Sequence, residues 1–204
     1  MIAIVDYRAG NLTSVASALE HLGHRCEITD RPDKIRSAER VILPGVGAAG
    51  ATMENLRRLE LDHVLREDVI KAGKPFLGIC IGIQILMDHS AEDDTRCLGV
   101  VAGEVVRFPA AVDGCPLKVP QIGWNRVHKL GAHPIFAGVA EGSHFYFVNS
   151  YYPRPADPSV VIATAEHGVV FCAALARERL VATQFHLEKS GAAGLRVLDN
   201  FCGL

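Results

Sequence analysis

The chain has 204 residues, a net charge of −2, 49% apolar and 22% charged residues. This length suits one domain with a full core, expected to span 1–204, and the charge excludes electrostatic attraction to nucleic acid or an anionic membrane surface. No apolar run approaches the ~20 residues of a membrane span, and the opening MIAIVDYRAG lacks the basic region of a signal peptide, so a cytoplasmic location is expected.

MIAIVD reads as a first short strand, and Asn11 to Leu22 as a helix with apolar residues at Leu12, Val15, Leu19 and Leu22. CEIT, RVILPG and PFLGI follow as strands. Residues 51–71 form an amphipathic helical stretch between the last two, and IQILMDH reads as a helix after PFLGI. Strands alternating with helices predict an open, mostly parallel sheet covered on both faces. From GVVAGEVVRF onward the runs are mostly strand-like and separated by Gly and Pro, which predicts an appended antiparallel layer. GAAGLRVLDNFC closes the chain as a helix.

The cysteines (Cys26, Cys80, Cys97, Cys115, Cys172 and Cys202) form no C-x-x-C pair, so neither a zinc site nor a disulfide scaffold is expected, and no metal or cofactor is implied. Cys80 stands out. In KPFLGICIGIQ it falls where a strand should hand over to a helix, with glycine two residues away on each side, expected to accept the tight turn and leave room for a substrate. G-x-C-x-G has the form of a hydrolase nucleophile elbow with sulfur in place of oxygen. The helix N-terminus favours thiolate, and the Ile81 amide is placed to meet a developing oxyanion. The alternative is a buried structural cysteine.

A thiolate nucleophile needs a base, and the base an orienting group. His21, His24 and His63 read as solvated, His89 as a cap on the helix after Cys80, and His128, His133, His144 and His167 as structural. His186 differs because Glu188 follows two positions on. In extended chain, both would face one cavity. The alternative is a surface turn, HLEKS, opening the last helix.

LPGVGAAG (43–50), KPFLGICIGIQ (74–84) and ATQFHLEKS (182–190), in this order, resemble the class I, or triad, glutamine amidotransferases. DYRAGNLTSV, PQIGWNRV and HFYFVNSYY narrow the resemblance to the glutaminase subunits of imidazole glycerol phosphate synthases. The resemblance implies hydrolysis of glutamine to glutamate and ammonia, and a heterodimer with a (β/α)₈ barrel cyclase that receives the ammonia. It implies Cys80 as nucleophile, His186 as base and Glu188 as its orienter. It also implies an oxyanion hole from Ile81, Val46 and Gly47, in a PGVG segment that must reorient to complete it. Gly45, Gln84, Ser150 and Tyr151 would bind glutamine. Gln121, Trp124, Asn125 and Tyr146 would face the cyclase.

Some positions depart from the family's pattern. Leu187 replaces the usual proline between His186 and Glu188, which predicts a looser His–Glu geometry. Gln121 and Asn149 stand where histidine is common and Ile122 where methionine is, all on the side expected to face the partner. Arg8 replaces a frequent glycine. These partner-side changes motivate a second reading, a paralogous glutaminase serving a different synthase. A third, a catalytically silent binding subunit, would require a lost triad, and Cys80, His186 and Glu188 are all present.

Overall fold

The computed structural model describes residues 1–204. In chain order, β1 (Ile2–Val5) is followed by α1 (Leu12–His21), β2 (Cys26–Thr29), α2 (Pro32–Ser37), β3 (Arg40–Leu43) and α3 (Ala49–Arg58). A left-handed residue, Glu60 at φ 57°, breaks the helical stretch. The chain resumes as α4 (Leu61–His63), continues as a π-helix (Val64–Lys71), and reaches β4 (Phe76–Ile79) and α5 (Ile81–Gln84). The second half comprises β5 (His89–Ser90), β6 (Thr95–Arg96), β7 (Gly103–Arg107), β8 (Ala111–Val112), β9 (Cys115–Pro116), β10 (Gln121–Arg126), β11 (His128–Lys129), β12 (His144–Asn149) and β13 (Tyr151–Pro155). Strands β14 (Val161–His167), β15 (Val169–Arg177) and β16 (Leu180–Thr183) and helix α6 (Gly191–Gly203) complete it.

The main sheet runs β2-β1-β3-β4-β16-β15-β14-β11, parallel from β2 to β16 and antiparallel beyond. Successive side chains of its central strands enter opposite cores. Ile2, Ile4, Ile42 and Leu77 pack on one face with Leu19, Val197 and Phe201 of α1 and α6. Ala3, Val5, Val41, Leu43 and Phe76 pack on the other with Ile35, Met53 and Leu56 of α2 and α3. The period-2 alternation explains why these strands are apolar throughout: both faces are covered.

The antiparallel layer is more divided than expected. Strands β15, β14 and β11 extend the main sheet in plane, whereas β13-β7-β5-β6 form a separate sheet and β10-β12 a two-stranded ribbon.

The helix expected over IQILMDH ends at Gln84. Leu98, Gly99, Val100 and Val101 donate their amides to the carbonyls of Ile85, Met87 and Leu86, diverting the backbone into a buried loop. Ile85, Leu86 and Met87 are wholly buried, so the apolar run reflects burial on all sides and not one helical face. His89 accordingly lies in β5 and pairs with Asp94, so it caps no helix. No helix is long and apolar enough to cross a membrane.

Candidate active site

Cys80 sits between β4 and α5 with φ 57° and ψ −105°, a backbone conformation unfavourable for a residue with a Cβ. The elbow is therefore present, and the cysteine itself carries its strain. The flanking glycines do a different job from the one expected of them. A Cβ on Gly78 would lie 2.7 Å from the Gly82 carbonyl oxygen, and one on Gly82 would lie 2.3 Å from the Leu43 carbonyl oxygen. They let α5 seat against β3 and β4 and neither has positive φ. Ile81 occupies the first position of α5, where an amide has no acceptor within the helix.

Parallel pairing of β16 with β4 sets Thr183 opposite Ile79, and the Cys80 amide donates to the Thr183 carbonyl at 2.8 Å. This register brings the segment from Gln184 to Glu188 alongside the elbow. His186 is 2% exposed and Glu188 4%, and His186 Nδ1 meets Glu188 Oε1 at 2.8 Å. The contact forms across a 3-10 turn over Leu187–Lys189, not along an extended strand as the sequence suggested. Leu187 is wholly buried in the α1–α6 core, so packing restrains the turn that proline was expected to restrain. The His186 amide donates to the Tyr146 carbonyl at 2.9 Å, and its carbonyl accepts from the Ser190 hydroxyl, which fixes the backbone on both sides.

The other ring nitrogen, Nε2, is buried and without a hydrogen-bond partner. Burial alone would lower the His186 pKa. Cys80 and Glu188 outweigh it and raise the pKa to about 10. An imidazolium between a carboxylate and a sulfur suits a thiolate–imidazolium pair.

Beside Cys80 lies a pocket of about 270 Å³ lined by Val46, Gly47, Ile81, Gln84, Ser150 and Tyr151, six of the residues expected there. Gly47 has φ 129°, which only glycine adopts readily, so the PGVG segment retains backbone freedom at that point. Gly45 is not among the lining residues. It is buried, and a Cβ there would collide with the Tyr7 hydroxyl at 1.6 Å. Glycine at 45 is a packing requirement, set by the full burial of Tyr7.

Glu92, Pro120, Val148 and Asn149 complete the lining, and sequence reasoning missed all four as pocket residues. Glu92 matters most. Its Oε2 accepts the Ala49 amide at the start of α3 at 2.8 Å, and burial raises its pKa. It is the one carboxylate in the pocket's lining, a fit for an ammonium group. In sequence it lies in the acidic stretch AEDD, indistinguishable from a solvated loop.

Outside the pocket, Trp124 is 57% exposed and Ile122 61% exposed on β10. Tyr146 packs edge-on to Trp124 with ring centroids 6.1 Å apart, and Lys189 lies over the Tyr146 ring. This aromatic rim adjoins His186, since Tyr146 bridges to it across the backbone. Gln121, expected at the partner interface, is only 6% exposed and is engaged within the ribbon. Its side chain donates to Asn149 Oδ1 at 3.2 Å and accepts from Asn125 Nδ2 at 2.9 Å. The two positions that depart together from histidine are thus paired with each other inside the β10-β12 ribbon, where Gln121 lies opposite Asn149. Asn125 stays half-buried, with Nδ2 also donating to the Glu166 carbonyl.

Arg8 adopts the left-handed conformation at φ 67° that glycine would take without strain. Its amide donates to Asp6 Oδ1 and its guanidinium pairs with Asp30, which holds the turn after β1.

The chain matches the family model "Glutamine amidotransferase class-I" over residues 3–203. It is 50% identical over 202 residues to a protein of Dehalococcoides mccartyi named "Imidazole glycerol phosphate synthase subunit HisH", covering 98% of this chain and 96% of that one. A protein of the same name from Rhodopirellula baltica is 49% identical over the same shares. Among solved structures, "Crystal structure of glutamine amidotransferase" superposes with a TM-score of 0.76 at 17% identity, covering 100% of this chain and 99% of that one. "Structure of PurLQS from Thermotoga maritima" superposes with a TM-score of 0.72 at 18% identity, covering 99% and 97%. This protein belongs to the class-I glutamine amidotransferase family, within the group formed by the HisH subunits of imidazole glycerol phosphate synthase.

Proposed function

We propose that this chain hydrolyses glutamine to glutamate and ammonia as the glutaminase subunit of an imidazole glycerol phosphate synthase. The observation that carries the reading is the register of β16 against β4, which sets the His186–Glu188 pair beside the strained Cys80 at the mouth of a pocket.

Glutamine enters with its ammonium toward Glu92 and its carboxamide at Cys80. The Cys80 thiolate attacks the amide carbon, and the C–O double bond opens to an oxyanion received by the Ile81 amide and the Val46–Gly47 backbone. His186, held by Glu188, gives its proton to the departing nitrogen. The C–N bond breaks, ammonia leaves and a glutamyl thioester remains on Cys80. Water then attacks the thioester while His186 accepts its proton, and the C–S bond breaks to release glutamate. The chemistry uses only these side chains, backbone amides and water.

The ammonia passes to a barrel cyclase docked on the Trp124, Asn125 and Tyr146 rim, which uses it to make imidazole glycerol phosphate and an aminoimidazole carboxamide ribonucleotide. The alternative of a different synthase loses most of its motivation, since Gln121 and Asn149 bond each other internally and only Ile122 stands exposed. The test is glutamate release by the chain mixed with its host's cyclase, with and without the cyclase's nucleotide ligand. The reading expects release that the ligand stimulates. Release that ignores both cyclase and ligand would remove the assigned partner.

A further inference from the structure

Gln184 is wholly buried, and its side-chain Nε2 donates toward Cys80 Sγ at 3.7 Å. The triad accounts for the base and its orienter but not for this second donor at sulfur. An amide side chain can present either its oxygen or its nitrogen, so what matters is which end faces the thiol. A chain of contacts answers this. The Tyr151 carbonyl can only accept, so the Gln84 atom bonded to it at 3.1 Å is Nε2. The same Nε2 uses its other hydrogen on Gln184 at 3.1 Å, so Gln184 must present Oε1 there. That leaves Gln184 Nε2 for Cys80. Asn149 Nδ2 also donates to the Tyr151 carbonyl, at 3.0 Å, and occupies its other lone pair.

We propose that Gln184 is a thiolate-holding residue, an N–H donor to Cys80 Sγ whose orientation is imposed by the Tyr151 carbonyl through Gln84. The inference rests on Cys80 being the reactive thiol of the proposed glutaminase. Hydrogen bonds to an ionised acceptor are stronger than those to a neutral one, so the donor favours thiolate over thiol. It also leaves Gln84 Oε1 free of the internal chain and available to substrate. Gln84 makes no hydrogen bond to sulfur itself, yet it governs the group that does.

The test reads the thiolate without reading glutamine turnover. Cys80 carbamidomethylation by iodoacetamide is followed by peptide mass spectrometry from pH 6 to 10, with exposed Cys115 as internal reference. Gln184→Met should slow Cys80 alkylation about tenfold at pH 7 and less than about twofold at pH 10, while Cys115 is unchanged. Gln84→Met should shift the Cys80 profile in the same direction although it removes no contact to sulfur. If Gln184→Met does not fold, Gln84→Met decides alone. A folded variant of either kind with the wild-type Cys80 profile overturns the proposal, even with glutamine hydrolysis intact. Wild-type protein that hydrolyses no glutamine, alone or with the cyclase and its ligand, while the variants' Cys80 profiles shift as stated, would leave the proposal standing and remove the glutaminase reading.

Discussion

Glu188 Oε1 receives His186 Nδ1 at 2.8 Å with both side chains sealed from solvent. With Nδ1 bonded to the carboxylate, Nε2 is the nitrogen left for the proposed reaction, and the carboxylate fixes the ring orientation. Glu188→Gln keeps the shape but loses the charge and can impose the wrong tautomer. It should lower kcat by about 10²–10⁴ with little change in KM, measured by steady-state glutamate release in the activated complex. A KM effect without a kcat effect would assign Glu188 to substrate binding.

The His186 pKa is raised from 6.5 to about 10, with burial opposing and Cys80 and Glu188 overriding it. A group whose folded pKa lies above its unfolded one stabilises fully below the unfolded value and loses that contribution as pH rises through the folded value. The stability difference between wild type and His186→Gln should therefore be largest near pH 6 and shrink steadily toward pH 10. Urea midpoints at pH 6, 8 and 10 for both proteins check this. A difference that grows with pH would mean that His186 is held neutral.

Glu92 is assigned to the substrate ammonium. Glu92→Gln retains an oxygen for the Ala49 amide, so the start of α3 stays capped while the charge is lost. KM for glutamine should rise about 10- to 100-fold with kcat changed much less, since an ion-paired hydrogen bond contributes ~1.5–3 kcal/mol. An unchanged KM with a lowered melting temperature would leave Glu92 only its capping role.

Trp124 is the largest exposed aromatic and stands over Tyr146. Trp124→Ala should weaken cyclase binding by ~2 kcal/mol or more in calorimetric titration and leave the melting temperature of the isolated chain nearly unchanged. Unaltered affinity would move the interface away from β10.

The parallel half of the fold was legible because its strands are short and, except for the edge strand β2, apolar on both faces. Helix α2 was not, because Ile35 is its only buried residue and one apolar position makes no period. The over-long helix after Cys80 came from Ile85, Leu86 and Met87, whose burial has no sided pattern to distinguish helix from buried loop. At the site, Cys80, His186 and Glu188 were readable because elbow glycines and His-x-Glu spacing are local. Gln184, Gln121 and Asn149 act through contacts as far as 104 positions apart, as between Gln184 and Cys80, and no local pattern carries them. The glycines of G-x-C-x-G were noticed for the right position and the wrong reason: Gly78 and Gly82 admit neighbouring backbone, and Cys80 takes the strain.

Cys80 is proposed to form the covalent intermediate. Rapid quench of the activated complex with glutamine, followed by peptide mass spectrometry, tests it most directly. A glutamyl adduct is expected on Cys80, absent in Cys80→Ala, which should also release no glutamate. An adduct on another residue, or glutamate release that survives Cys80→Ala, would contradict it.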